Sequence, residues 1–128
     1  MIQENKELLL KDLCARLPYG VKCHFKYGSA EGDVTLDCID NNVARFKYGW
    51  YGRFHVSINE YHIKPYLFPI SSMTEEQEKE WLYTLSSDYN ITYDTVDWCN
   101  KNHFDYRGLI EKGLAIDATG LNIYNLVG

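Results

Sequence analysis

Residues 21–58 read VKCHFKYGSAEGDVTLDCIDNNVARFKYGWYGRFHVSI, and the period of this stretch decides the fold. Val21, Cys23, Phe25 and Tyr27 alternate with Lys22, His24 and Lys26, the pattern of a strand with one buried face. Residues 28–32 supply a turn. Val34, Leu36 and Cys38 then alternate with Asp33, Thr35 and Asp37, and Asp40, Asn41 and Asn42 tolerate turn geometry before a third strand over residues 43–48. A loop at residues 49–52 leads to Phe54, Val56 and Ile58, opposed by Arg53, His55 and Ser57, and a short fifth run over residues 61–64 stops at Pro65. Five short strands with tight turns predict a small curled antiparallel sheet of the SH3-like barrel type.

Upstream, Leu9, Leu10, Leu13 and Leu17 recur at helical spacing, with Lys6, Glu7, Lys11, Asp12 and Arg16 for the wet face. Pro18 and Gly20 end this helix, since proline disfavours the helical conformation at Leu17 and glycine takes positive φ freely. Downstream, Pro65 and Pro69 bracket an extended crossing. Ser72 with Glu75 and Thr74 with Gln77 both fit the capping-box spacing, in which a hydroxyl and an N3 side chain satisfy two orphan backbone donors. The helix so started carries Trp81, Leu82 and Leu85 as its apolar stripe and ends near Ser86. Asp94 or Thr95 can cap a third helix through Val96, Trp98, Cys99 and Lys101. Residues 108–112 can make a further helical turn closed by Gly113, and a loose tail or edge strand follows from Gly120. Tyr83, Tyr89 and Tyr93, near Trp81 and Trp98, are expected to pack this helical part. The fold class is therefore α+β in a single domain over residues 1–128, with a helix-plus-sheet half to residue 70 and a helical half from residue 71.

The chain has 128 residues, of which 45% are apolar and 24% charged, a globular composition that excludes disorder. The net charge of −5 argues against a general nucleic-acid coat or a polybasic membrane anchor. Charge is uneven: residues 1–70 are close to neutral, while residues 71–128 hold ten acidic against four basic side chains. No apolar run approaches the length of a membrane span, and the first residues, MIQENKELLL, lack the basic start of a secretory signal. A cytoplasmic protein is expected. Cys14, Cys23, Cys38 and Cys99 are far apart without a CxxC pair, so they are expected to be buried free thiols and not a zinc or redox site.

Catalytic motifs are scarce. His24, His55, His62 and His103 show no HxxxH or HxH spacing, and solvent-facing imidazoles are the simplest reading, with no metal or other cofactor implied. His24 and His55 could meet across the sheet, His55 and His62 could join Asp37, and His103 with Asp105 is a local pair able to orient an imidazole. Cys23 and His24 point to opposite faces of one strand, which spoils a dyad. No GxSxG, SxxK, GxxxxGK[ST] or GxGxxG occurs. The densest unusual feature is FKYGWYGRF at residues 46–54, where Tyr48, Trp50 and Tyr51 lie between Lys47 and Arg53. Aromatic and cationic residues of this kind stack nucleobases or form protein hot spots, and core packing is the third possibility. The acidic run Glu75, Glu76, Glu78 and Glu80 reads either as a solvated helix face or as a phosphate mimic for a basic groove.

The opening KELLLKDLCARLPYGVKC (residues 6–23), IKPYLFP (63–69) with SSMTEEQ (71–77), and HFDYRGLIEKGLAID (103–117) resemble short hypothetical proteins of gut Bacteroidales genomes and of their phages and prophages. The resemblance implies a mobile-element setting and carries no substrate, cofactor or catalytic residue. In such a setting small acidic proteins often act by binding. The expected function is a non-catalytic binding or accessory protein that engages a macromolecular partner, above all a protein, through Lys47, Tyr48, Trp50, Tyr51 and Arg53. The alternatives are a single-stranded nucleic-acid or nucleotide-binding module that adds Lys22 and Lys26 to those residues, and a small hydrolase or metal enzyme using His55, His62 or His103.

Overall fold

Leu9 and Leu13 lie one helical turn apart and are fully buried, and they fix the inner face of helix α1 (Gln3–Arg16). A 3-10 turn at Leu17–Tyr19 follows, and Gly20, at φ 65°, takes the left-handed conformation that stops the helix. Two residues expected on the wet face of α1, Asp12 and Arg16, are instead completely buried. They can be buried because each is the other's partner. The computed structural model describes residues 2–40, 43–47, 53–57 and 63–124; the side chains of residues 27, 30, 40, 43–47 and 53–57 lie outside that description.

Strands β1 (Lys22–Tyr27), β2 (Ala30–Asp40), β3 (Val43–Lys47) and β4 (Arg53–Ser57) form an antiparallel meander, and β5 (Ile63–Pro69) returns to the free edge of β1. The first hairpin is tighter than the expected residues 28–32: Tyr27 pairs with Ala30, and Gly28, at φ 61°, forms the tip with Ser29. Val21, Cys23 and Phe25 are buried while Lys22, His24 and Lys26 are not, as the alternation requires. On β2, Val34 and Leu36 are buried but Cys38 is only half-buried. A register shift between Leu36 and Cys38 changes the parity, so that Ile39 packs on the core in its place.

The fifth strand does not stop at Pro65 but runs through it to Pro69. Pairing with β1 ends at Cys23 opposite Pro65, where the missing N–H would interrupt a ladder. Beyond it β5 takes new partners on parallel strands, β6 (Phe104–Asp105) and β7 (Ile116–Asp117). The sheet is thus mixed and, among the described residues, open, with β4 at one end and no pairing of β4 to β5. This corrects the expectation of a purely antiparallel SH3-like barrel. Two-residue strands such as β6 and β7 are too short to carry a period.

Helices α2 (Glu75–Thr84) and α3 (Tyr93–Lys101) follow β5. Residues 108–112 form hydrogen-bonded turns and no α-helix, because the Asp105 carboxylate accepts the Leu109 and Ile110 amides at 3.0 and 2.9 Å and Leu114 N–H returns to Leu109 O at 2.9 Å. Leu109 and Leu114 are thereby sealed into the same core as Leu9, Leu13, Val21, Phe25, Val34 and Leu67. Burying each such side chain contributes about 1.5–3 kcal/mol. The segment after Gly120 is not loose as far as Tyr124, whose hydroxyl donates to Tyr66 O at 2.6 Å and accepts from Lys22 N at 3.0 Å. Among the described residues no helix is long and apolar enough to cross a membrane.

Candidate functional site

Helices α2 and α3 are defined by their first residues. The Thr74 hydroxyl accepts from Gln77 N at 3.1 Å while the Gln77 side chain accepts from Thr74 N at 2.9 Å. Of the two boxes written in the sequence, the second is the one formed. At α3 the cap is Thr92, two or three residues before the expected Asp94 or Thr95, and Thr95 closes the box from within the helix. The end of α2 is stitched to the start of α3: Thr92 Oγ1 donates to Thr84 O at 2.7 Å, and the Thr84 and Thr95 hydroxyls lie 3.0 Å apart. Tyr89, at φ 61°, donates its amide to Ser86 O in the loop between them. The pair forms a fixed hairpin.

This hairpin exposes Tyr83, Tyr89 and Tyr93, expected to pack the helical part, and Leu82 of the expected apolar stripe, together with Ile91. Tyr93 is 92% exposed, Tyr83 91%, Tyr89 78%, Ile91 65% and Leu82 44%. Beside them a cleft of about 260 Å³ is lined by Ile70, Trp81, Ile91, Val96, Cys99 and Tyr106, with buried Thr95 and Asp105 also at its wall. A second depression over Tyr93 shares Ile91 and Val96 with it. The signal was present in the spacing: Tyr83 lies off the stripe of Trp81, Leu82 and Leu85, and Tyr93 precedes the inward-facing Thr95 and Cys99. Glu75, Glu76, Glu78, Glu80, Asp88, Asp94 and Asp97 are exposed on the same hairpin, and Lys79 is the single basic residue from 75 to 97. Glu80 also accepts from the Trp98 indole N–H at 3.2 Å.

Beneath α3 lies a polar node. Arg16 Nε donates to Asp12 Oδ2 at 2.8 Å, and its terminal nitrogens donate to Cys99 O at 3.4 Å and Phe104 O at 2.6 Å. Arg107 Nε stands 3.3 Å from Asp12 Oδ1, an ion pair by distance without hydrogen-bond geometry. Both guanidinium groups face the Tyr106 ring, at 5.5 and 4.7 Å from its centroid. Burial pushes the Asp12 carboxyl up, and the charges of Arg16 and Arg107 offset this only in part. The node joins α1 to α3 and β6. The hydrogen bonds of Arg16 fasten these three elements together.

His103 and Asp105, able by sequence position to pair, do not do so. The Asp105 oxygens are taken by backbone amides, and the His103 ring, at φ 64°, stacks on Tyr124 with centroids 3.7 Å apart. Burial, and secondarily the charge of Arg16, lowers its pKa to about 4. On the sheet, His24 is half-buried and occupied: Nδ1 lies 2.9 Å from Asp33 Oδ1, Nε2 lies 2.8 Å from Glu31 Oε1, and the Tyr66 hydroxyl donates to the same Asp33 oxygen at 2.5 Å. Burial pulls this imidazole down, but its hydrogen bonds to Asp33 and Glu31 prevail and hold it above its ordinary value. With both nitrogens engaged, His24 has none left to serve as a general base. In the sheet, β2 and β3 lie between its strand and that of His55.

Tyr48, Trp50, Tyr51 and His62 fall outside the described residues, as do the side chains of Lys47, Arg53 and His55. The backbone register sets Lys47 opposite Arg53. Cys23 and Cys99 are buried free thiols, Cys99 raised to about 11 by burial, whereas Cys38 is half-buried and Cys14 is exposed, against expectation. Among the described residues no group of three His, Cys, Asp or Glu side chains could hold a metal ion. Compared with family models, with curated proteins and with solved structures, the chain matches none.

Proposed function

We propose that this protein acts by binding another protein, without catalysis, and that the α2–α3 hairpin is the contact surface. One observation carries the reading: Tyr83, Tyr89, Ile91 and Tyr93 are exposed together at one end of a hairpin whose backbone is fixed by two capping boxes. Large aromatic side chains are costly to leave in water and are over-represented among residues that dominate interfaces. A rigid support lowers the ordering cost of binding. The acidic side chains of the hairpin disfavour phosphate-rich ligands, so the nucleic-acid alternative finds no support on this face. The resemblance to short phage and Bacteroidales proteins suits an accessory protein of a mobile element acting in the cytoplasm, and the 48–53 loop, with Lys47, Tyr48, Trp50, Tyr51 and Arg53, is kept as a second contact area on sequence grounds.

The test is native mass spectrometry of protein purified gently from its host, comparing the wild type with Tyr83→Ser/Tyr93→Ser and with Trp50→Ala/Tyr51→Ala. A partner protein lost only in the first variant supports the hairpin. Loss only in the second moves the site to the loop, and a partner retained in both removes the two surfaces from consideration.

A further inference from the structure

Resting on the reading of the α2–α3 hairpin as a contact surface, we infer that the partner presents a basic segment with one bulky apolar side chain, which enters the cleft between Trp81, Val96 and Tyr106. Size comes first. A dry cavity of about 150 Å³ already admits benzene, while sites for cofactors and drug-sized ligands start near 300 Å³. At about 260 Å³ the cleft holds one aromatic or large aliphatic side chain and little more. Its walls suit such an anchor: Ile70, Ile91 and Val96 are apolar, and Trp81 and Tyr106 offer aromatic surface.

The polar atoms at the wall do not ask for a charged ligand. Both Asp105 oxygens are occupied by the amides of Leu109 and Ile110, and Thr95 is committed to the cap of α3. The Cys99 thiol is held protonated by burial. Recognition inside the cleft is therefore by shape and apolar burial, which leaves the rim to choose among sequences.

The elements that bound the cleft are predominantly acidic, with Lys79, Lys101 and Arg107 as the basic residues between positions 70 and 107. Glu80, Asp88, Asp94 and Asp97 are exposed on the elements that bound the cleft, and the tyrosines among them, Tyr83, Tyr89 and Tyr93, present ring faces that attract guanidinium and ammonium groups. Arginine or lysine on either side of the anchor satisfies both features at once. An acidic or neutral segment satisfies neither.

The inference is tested by titrating the isotope-labelled full chain with the peptides acetyl-Lys-Arg-Xaa-Arg-Lys-amide, where Xaa is Trp, Phe, Leu or Ala, and with acetyl-Glu-Asp-Trp-Asp-Glu-amide, following amide and indole chemical shifts. The expected result is saturable shifts at Trp81, Ile91, Val96 and Tyr106 with Trp, Phe or Leu, at least tenfold weaker binding with Ala and with the acidic peptide, and several-fold weakening between 50 and 500 mM salt. Val96→Trp, which fills the cleft from an already half-exposed position, abolishes the shifts while the remaining spectrum stays dispersed. Equal binding of acidic and basic Trp peptides in the cleft overturns the basic partner and leaves the contact surface standing. Binding that ignores Xaa overturns the anchor. If no peptide moves the cleft signals the inference fails; the surface reading fails separately, if the Tyr83→Ser/Tyr93→Ser protein keeps its native partner.

Discussion

Helix α3 has two sides, and they are used in opposite ways. Inward, Thr95, Cys99 and Asn100 are buried, and Arg16 reaches across from α1 to the Cys99 and Phe104 carbonyls while paired with Asp12. Outward, Tyr93, Asp94 and Asp97 are exposed. The inner side holds the helix in place through the buried hydrogen bonds of Arg16. The outer side carries the same residue types, aromatic and charged, unspent. Under the proposed function that difference assigns binding to the outside and stability to the inside, and it separates the expected consequences of mutation accordingly.

The largest effect belongs to the inner side. Arg16→Ala leaves Asp12 buried beside a poorly aligned Arg107 and removes the donors of two carbonyls, and breaking such a pair from one end costs about 3–5 kcal/mol. Chemical denaturation should show this as a fall in midpoint with unchanged slope. Asp12→Leu with Arg16→Met should recover part of the loss, since no lone buried charge then remains. A midpoint within about 1 kcal/mol of wild type for Arg16→Ala would mean that the node is hydrated and that the two sides of α3 are not distinct.

Next comes pH. The folded protein holds His103 at about 4, whereas the unfolded chain protonates it near 6.5. The unfolded state therefore takes up the proton first, so this contribution is complete above pH 6.5 and lost as pH falls towards 4, on the order of 2 kcal/mol after allowance for screening. His24 has the reverse sign. Its raised pKa makes its contribution complete below about pH 6.5 and lost as pH rises through the folded value, and its exposure keeps the effect below about 1 kcal/mol. Denaturation of the wild type, His103→Gln and His24→Gln between pH 4.5 and 8.5 should show the difference from wild type growing in opposite pH directions for the two variants. Parallel curves would mean that the two environments are electrostatically alike.

A smaller effect is expected where the two sides meet. Thr92→Val removes the cap of α3 and the hydroxyl bond to Thr84 O, for about 1 kcal/mol. Because that bond also positions Tyr93, the variant should weaken partner binding beyond what its stability loss explains. Equal loss of both would make the stitch merely structural.

Much of this fold was legible from residues 21–58, because a period of two with turn residues between the runs leaves few other readings. The proline and glycine after α1 and the Thr74 capping box were equally plain, being local chemistry. Three things were not. Asp12 and Arg16 are charged residues at helical spacing, and only tertiary partners 83 and 88 residues away from Arg16 reveal that they are buried. Strands of two residues, β6 and β7, have no pattern to find. The exposure of the tyrosines is not written in their residue type, since aromatic residues usually pack in a core, and only the place of Tyr83 off the apolar stripe of its helix hints at it.

The most direct measurement is site-specific photo-crosslinking in the native host, with p-benzoylphenylalanine placed at Tyr83, at Tyr93, and at the exposed Glu111 away from the hairpin. Discrete adducts to one protein from positions 83 and 93, absent from 111 and suppressed by Val96→Trp, are expected. No adduct from the hairpin, or the same adducts from all three positions, would show that the outer side of α3 is not where this protein binds.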